Sequence, residues 1–162
     1  MSLDFAGITQ SYNERLASAR NRIVICGGTG CVANGSLKLM REFEKYIKEH
    51  DLNVVLELSE CLENETVYLS KSGCQGFCQM GPLVSIWPEG VLYTKVQNED
   101  IPEIVETTLV NGEIIDRLLY KDPTNGNLCH GQDDIPFYKR QTRTVLETCG
   151  SIAVPEGLPQ RD

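Results

Sequence analysis

Four of the seven cysteines in this 162-residue chain fall into two closely spaced pairs, Cys26 with Cys31 in CGGTGC and Cys74 with Cys78 in CQGFC. Each pair follows a strand-like segment and sits in a glycine-rich loop. The thiolate is the metal-binding form of cysteine, and four thiolates satisfy a [2Fe–2S] cluster, two tetrahedral irons with two protein ligands each. Glycines beside the ligands suit this chemistry. Lacking Cβ, they let the backbone wrap closely and aim N–H groups at sulfur, which stabilises the negative charge of the reduced state and helps set its potential. Gly27, Gly28, Gly30, Gly73 and Gly76 are the candidates.

Other chemistries compete with this one. A structural zinc site also takes four cysteines at such spacing, although zinc ribbons use tight knuckles on short hairpins, whereas here one pair ends a strand ahead of a long helix. Spacing favours a cluster and leaves zinc open, as the metal of an interaction module with no redox role. A thiol–disulfide oxidoreductase needs C-x-x-C at a helix start, and no C-x-x-C occurs in the chain. CGGTGC superficially resembles a phosphate-binding turn, but both G-x-G-x-x-G and the Walker lysine pattern are absent. Cys61, Cys129 and Cys149 read as ordinary small residues, with Cys129-His130 a weak metal pair. His50 reads as a helix-end residue complementing the dipole. Phe77 and Trp87 are candidates to shield the site from water, with strand or core packing the plainer role for Trp87.

Composition bounds the setting. A net charge of −8 and a sequence pI near 4.8 repel phosphate backbones, which argues against nucleic acid as a partner. No run of about 18 apolar residues is present to span a membrane. The polar N-terminus lacks the apolar core of a secretory signal. An odd number of cysteines argues against a disulfide scaffold, so a cytoplasmic location is expected.

The elements that must position the cysteines follow from periodicity. Ile8, Tyr12, Leu16 and Ala19 form a helical stripe in an N-terminal helix within residues 1–20. Residues 22–26 (RIVIC) read as a buried strand. A helix then follows, capped by Asn34 or Ser36, carrying Leu37, Met40, Phe43 and Ile47 and stopping near His50. Residues 53–58 and 66–69 are strand candidates. Residues 83–87 and 91–94 form a hairpin across Pro88-Glu89-Gly90. Residues 98–110 are a helix, with Pro102 in its first turn and Gly112 beyond its end. A βα unit followed by a ββα unit predicts an α/β, thioredoxin-like fold over residues 21–120, a small mixed sheet flanked by helices. Residues 121–134 read as a linker, after which Pro136 opens a helix closed by Gly150, with Lys139, Arg140 and Arg143 on a solvated face.

The motifs C-G-G-T-G-C-x-A-N-G-S (Cys26–Ser36) and G-C-x-G-F-C-x-M-G-P-L-V (Gly73–Val84) resemble the thioredoxin-like [2Fe–2S] ferredoxin family. W-P-E-G-V-L-Y (Trp87–Tyr93) and I-P-F-Y-K-R-Q (Ile135–Gln141) narrow the resemblance to the N-terminal region of the NADH-oxidising flavoprotein subunit of NAD(P)-linked hydrogenases and formate dehydrogenases, relatives of the complex I flavoprotein. The resemblance implies a [2Fe–2S] cluster on Cys26, Cys31, Cys74 and Cys78, and electron relay to other iron–sulfur or flavin subunits of a multimeric oxidoreductase. It also implies that residues 121–162 lead toward a flavin-binding remainder, where FMN and NAD(P) would bind. Under this reading the chain is not catalytic alone. A homodimer stays among the expected states.

Overall fold

The computed structural model describes residues 7, 10, 14, 16–56, 66–142, 144 and 149. Most of the expected N-terminal helix, including Ile8 and Tyr12, lies outside them, as do Cys61, Arg143 and Gly150. Leu16 is helical, and its carbonyl accepts the Ala19 N–H at 3.3 Å.

A five-stranded mixed sheet organises the chain, in the order β2-β3-β1-β4-β5. The strands are β1 (Asn21–Cys26), β2 (Asn53–Val55), β3 (Thr66–Ser72), β4 (Val84–Trp87) and β5 (Val91–Tyr93). β1 runs parallel to β3, which runs parallel to β2, while β4 is antiparallel to both β1 and β5. The βα and ββα units therefore assemble as the sequence predicts, with β4–β5 as the hairpin.

Side chains alternate across a strand, so one set of positions builds the core. Ile23 and Ile25, Val67 and Leu69, Val84 and Ile86, and Val91 and Tyr93 all belong to one buried cluster. Two helices cover that cluster. α1 (Thr29–Ala33) is a short turn behind the first cysteine pair, and α2 (Ser36–Glu49) is the first of the two covering helices. It contributes Leu39, Met40, Phe43 and Ile47. Leu37, expected on this stripe, is only half-buried, and Leu39 takes its place.

The predicted side-chain cap of α2 is also replaced. Asn34 caps the C-terminus of α1, Ser36 is buried as the first residue of α2, and Gly35 between them sits at φ 93° without a side-chain cap. Two helices that abut need one left-handed residue at the joint, and glycine adopts it at least cost. The second covering helix, α3, begins as an α-helix at Ile101–Glu103 and widens to a π-helix over Ile104–Val110, preceded by a 3-10 turn at Asn98–Asp100. It supplies Ile101, Ile104, Val105 and Leu109 to the core.

Tyr93 ties the sheet to this widened helix. Its hydroxyl, fully buried, shares a 2.7 Å hydrogen bond with Thr108 Oγ1 and accepts the Ile115 N–H at 3.1 Å. Tyr93→Phe leaves the two partners unsatisfied in an apolar setting and is expected to cost about 1–3 kcal/mol. Urea unfolding checks this: the midpoint should fall at unchanged slope.

The segment expected to be a linker is folded. Tyr120–Lys121 (β6) and Leu128–Cys129 (β7) pair as an antiparallel ribbon, and Asp122 closes its turn by accepting from Thr124 N–H and Oγ1 at 2.8 and 2.7 Å. The Thr124 backbone and side-chain hydrogen bonds hold the Asp122 carboxyl below the usual carboxylate range. Asn and Gly residues in this stretch build the turn of a ribbon rather than free chain. The helix opened by Pro136 is α4 (Pro136–Lys139), capped by Arg140, so it ends far short of Gly150. After Tyr138 no apolar residue appears until Val145, and a helix without a packed face is marginal beyond a turn or two. Among the described residues no helix is long and apolar enough to cross a membrane.

Candidate metal centre

The parallel register places the two cysteine loops side by side. Cys26 is the last residue of β1, and its Cα partner on β3 is Ser72. The chain leaves β3 directly into Gly73 and Cys74, then turns through Gly76 at φ 87° into a 3-10 turn, Cys78–Met80. The Gly27 N–H donates to Ser72 O at 2.9 Å, which latches the first loop onto the end of β3. Cys31 comes forward from α1.

All four thiols meet in this corner as two unlike pairs. Cys26 and Cys31 are buried, each 1% exposed, whereas Cys74 and Cys78 are exposed. The Cys74 and Cys78 sulfurs stand 4.0 Å apart. Two thiolates on one tetrahedral metal with bonds of about 2.3 Å stand about 3.8 Å apart, so this pair is close to ligand geometry.

Backbone N–H groups point at the sulfurs. Gln75 N–H donates to Cys26 Sγ at 3.5 Å and Gly76 N–H to Cys74 Sγ at 3.3 Å. A hydrogen bond from the Cys31 thiol, helped by the N–H groups of Gln75 and Gly28 and opposed by burial, holds Cys26 well below the ordinary thiol range. The same Cys26–Cys31 hydrogen bond, with burial and the Cys26 charge, pushes Cys31 up. In the outer pair, hydrogen bonding to Cys74 raises Cys78. In the inner pair the proton therefore rests on Cys31, and loading a metal must displace the protons that the thiols still hold.

Among the expected glycines, Gly28 and Gly76 supply N–H groups to sulfur, while Gly73 offers its carbonyl to the Ser72 hydroxyl at 2.9 Å. Close approach matters more than the sequence suggests. A Cβ on Gly28 would stand 3.0 Å from Cys74 Sγ, and one on Gly30 3.4 Å from Cys78 Sγ. The tightest position is Gly81, where a Cβ would lie 2.6 Å from Cys31 Sγ. Gly81 has φ −75°, a conformation alanine adopts freely, so Gly81→Ala tests contact alone. The substitution is expected to displace the buried thiol and cut iron uptake about tenfold or more. Iron and sulfide assays on chain verified as folded by circular dichroism check this. Sequence reasoning missed Gly81, Gln75 and Leu83, whose N–H also favours the Cys31 thiolate. The available signal was Gly81-Pro82-Leu83 running directly from the second loop into β4.

The remaining candidates stand apart from the four thiols or beside them without joining. Cys129 is buried, its thiol 3.6 Å from Asp134 O and pushed up by burial. Cys149 donates to Cys74 O at 3.2 Å. His50 ends α2, with Nδ1 3.0 Å from Tyr46 O and its ring stacked on Tyr46. Trp87 is 38% exposed under the Arg22 guanidinium, at the opposite end of β1 from Cys26, so it neither shields the site nor fills the core. Phe77 is buried in one apolar cluster with Cys26 and Cys31, as a shield requires.

Among the described residues, no three His, Cys, Asp or Glu side chains converge on a single metal-ion position. Two thiol pairs side by side instead match the donor set that a two-iron cluster would need, with two protein ligands for each iron. The donor chemistry, the N–H groups at sulfur and the glycine clearances all fit that group.

Comparison with known proteins bears on the family. The thioredoxin-like [2Fe–2S] ferredoxin family matches residues 9–109. A 2Fe–2S ferredoxin of Clostridium pasteurianum is 36% identical over 88 residues, 54% of this chain and 76% of that protein. A 2Fe–2S ferredoxin of Aquifex aeolicus is 44% identical over 54 residues, 33% of this chain and 49% of that protein. The crystal structure of the wild-type thioredoxin-like [2Fe–2S] ferredoxin from Aquifex aeolicus superposes with a TM-score of 0.48 at 29% identity, covering 63% of this chain and 97% of that one. With its sheet order, its paired thiols and a family match over most of its length, the chain belongs to the thioredoxin-like [2Fe–2S] ferredoxins, electron-transfer proteins whose cofactor is a [2Fe–2S] cluster.

Proposed function

We propose that Cys26, Cys31, Cys74 and Cys78 are the ligands of the family's cluster, and that the chain serves as an electron relay within a cytoplasmic, NADH-oxidising flavoprotein assembly. The observation that carries the ligand assignment is the meeting of the two loops. β1 and β3 end side by side, and the thiols they deliver are paired and supplied with N–H donors. The bound cluster supplies reversible one-electron chemistry. Everything else is the work of the chain. The Gln75, Gly28, Gly76 and Leu83 N–H groups stabilise negative charge on the sulfurs, Gly28 and Gly81 leave room for them, and the apolar cluster around Cys26 and Cys31 keeps water from the inner pair. The exposed Cys74 and Cys78 form the face through which an electron enters and leaves. No side chain is needed as acid or base.

The flavoprotein setting rests on I-P-F-Y-K-R-Q and W-P-E-G-V-L-Y, and its partners are iron–sulfur and flavin subunits or domains that exchange single electrons with this chain. The ligand assignment is tested on anaerobically reconstituted protein: two irons and two sulfides per chain, with a spin-half EPR signal after reduction, are expected. A colourless chain holding one zinc overturns it in favour of the zinc-stabilised interaction module. For the setting, NADH should reduce the cluster in the assembled oxidoreductase but not in the isolated chain. An assembly in which NADH leaves the cluster oxidised removes that part of the proposal.

A further inference from the structure

The family match ends at residue 109, yet the wall of the metal centre does not. Cys26, Cys31, Phe77, Leu83 and Leu92 share their apolar cluster with Cys129, Ile135 and Tyr138, all from the ribbon and α4. The ribbon is fixed against β5 by Leu92 N–H donating to His130 O at 2.8 Å. Asp134 holds the turn into α4 by accepting the N–H groups of His130 and Gly131, both at 3.2 Å.

Phe77, between Gly76 and the ligand Cys78, is gripped from three directions. Phe137 stacks face to face at 5.0 Å and 15°, while Tyr120 and Tyr138 meet it edge-on at 5.1 and 5.6 Å, both at 70°. A loop aromatic that follows a glycine has no such restraint of its own. Phe137 itself is 42% exposed, so its ring reaches solvent while it stacks on Phe77.

We propose that Phe137, presented by α4, is a positioning residue for the metal centre: it clamps Phe77 over the inner thiol pair and so controls how far water reaches Cys26 and Cys31. The inference rests on the ligand assignment above but concerns residues outside the matched family region. Removing the clamp lets Phe77 swing out. Water then better solvates the extra negative charge of the reduced centre, so the potential rises.

The test has two arms. In metal-free, reduced Phe137→Ala, iodoacetamide alkylation of Cys26 and Cys31, resolved by mass spectrometry, should accelerate about two- to tenfold, the effect of one aromatic pair on a local opening equilibrium. Amide exchange of β1 should stay at its wild-type rate, and Phe137→Tyr should restore protection. In the reconstituted protein, Phe137→Ala should keep its iron while its potential shifts positive. Wild-type alkylation rates, or a rise matched by equal loosening of β1, overturn the inference. So does an unchanged potential. Failure of the wild-type chain to take up iron would instead sink the ligand assignment, and the metal-free arm would still decide the clamp.

Discussion

Cys31→Ser is expected to abolish the visible absorption of the reconstituted chain and leave iron below about a tenth of the wild-type content. The residue is buried at the base of the site, hydrogen-bonded to Cys26 and wedged against Gly81. A serine oxygen is a harder, shorter donor than a thiolate and cannot reach the same point from the same backbone. It also leaves a buried hydroxyl in an apolar cluster. Cys129→Ser is the matched control, since it too changes a buried thiol of that cluster but not a ligand, and it should retain iron. Equal loss in both variants would mean that the cluster's packing, and not its ligand set, governs uptake.

The largest stability effect is expected at Phe43. Its ring, with no exposed surface, is the centre of the α2 stripe against Ile23, Ile25, Val67 and Leu69. Phe43→Ala should cost about 3–5 kcal/mol, from lost transfer energy and the cavity left behind. Domains of this kind are stable by only about 5–15 kcal/mol, so denaturant unfolding should show a sharply lower midpoint or a partly unfolded chain in buffer. Phe43→Leu keeps much of the volume and should lose only a fraction of that. A change below about 1 kcal/mol in Phe43→Ala would mean that the core collapses around the gap.

The two cysteine pairs, the sheet and both covering helices were legible because their signals are local. Two spaced cysteine pairs, RIVIC as a β-branched run, Met40, Phe43 and Ile47 at helical spacing, and the Pro-Glu-Gly hairpin turn each declare themselves within a few residues. What escaped depends on distant neighbours. Gly81 matters because Cys31, fifty positions earlier, ends up against it. The Asn34 or Ser36 cap failed because a second short helix occupies the approach to α2, information that no capping pattern carries. Residues 121–134 looked like a linker from their Gly, Asn and Asp content, but turn-forming composition is equally what a two-stranded ribbon needs. Trp87 ends β4 opposite Arg22, so it packs within the strand pair under that guanidinium and not in the core, a placement that depends on its strand partner.

The parallel pairing of β1 with β3 also sets the order of events in biosynthesis. Cys26 and Gly73 are neighbours in the site but 47 positions apart along the chain. Parallel strands cannot be joined by a tight turn, so the intervening crossover, α2 included, must be closed before their pairing returns any free energy. On the ribosome, Cys26 and Cys31 emerge long before their partners and meet no second loop until residues through Cys78 have cleared the exit tunnel. Assembly of the site is therefore tied to the pairing of β3 with β1, ahead of β4 and β5. Until then the nascent chain carries only half of the site.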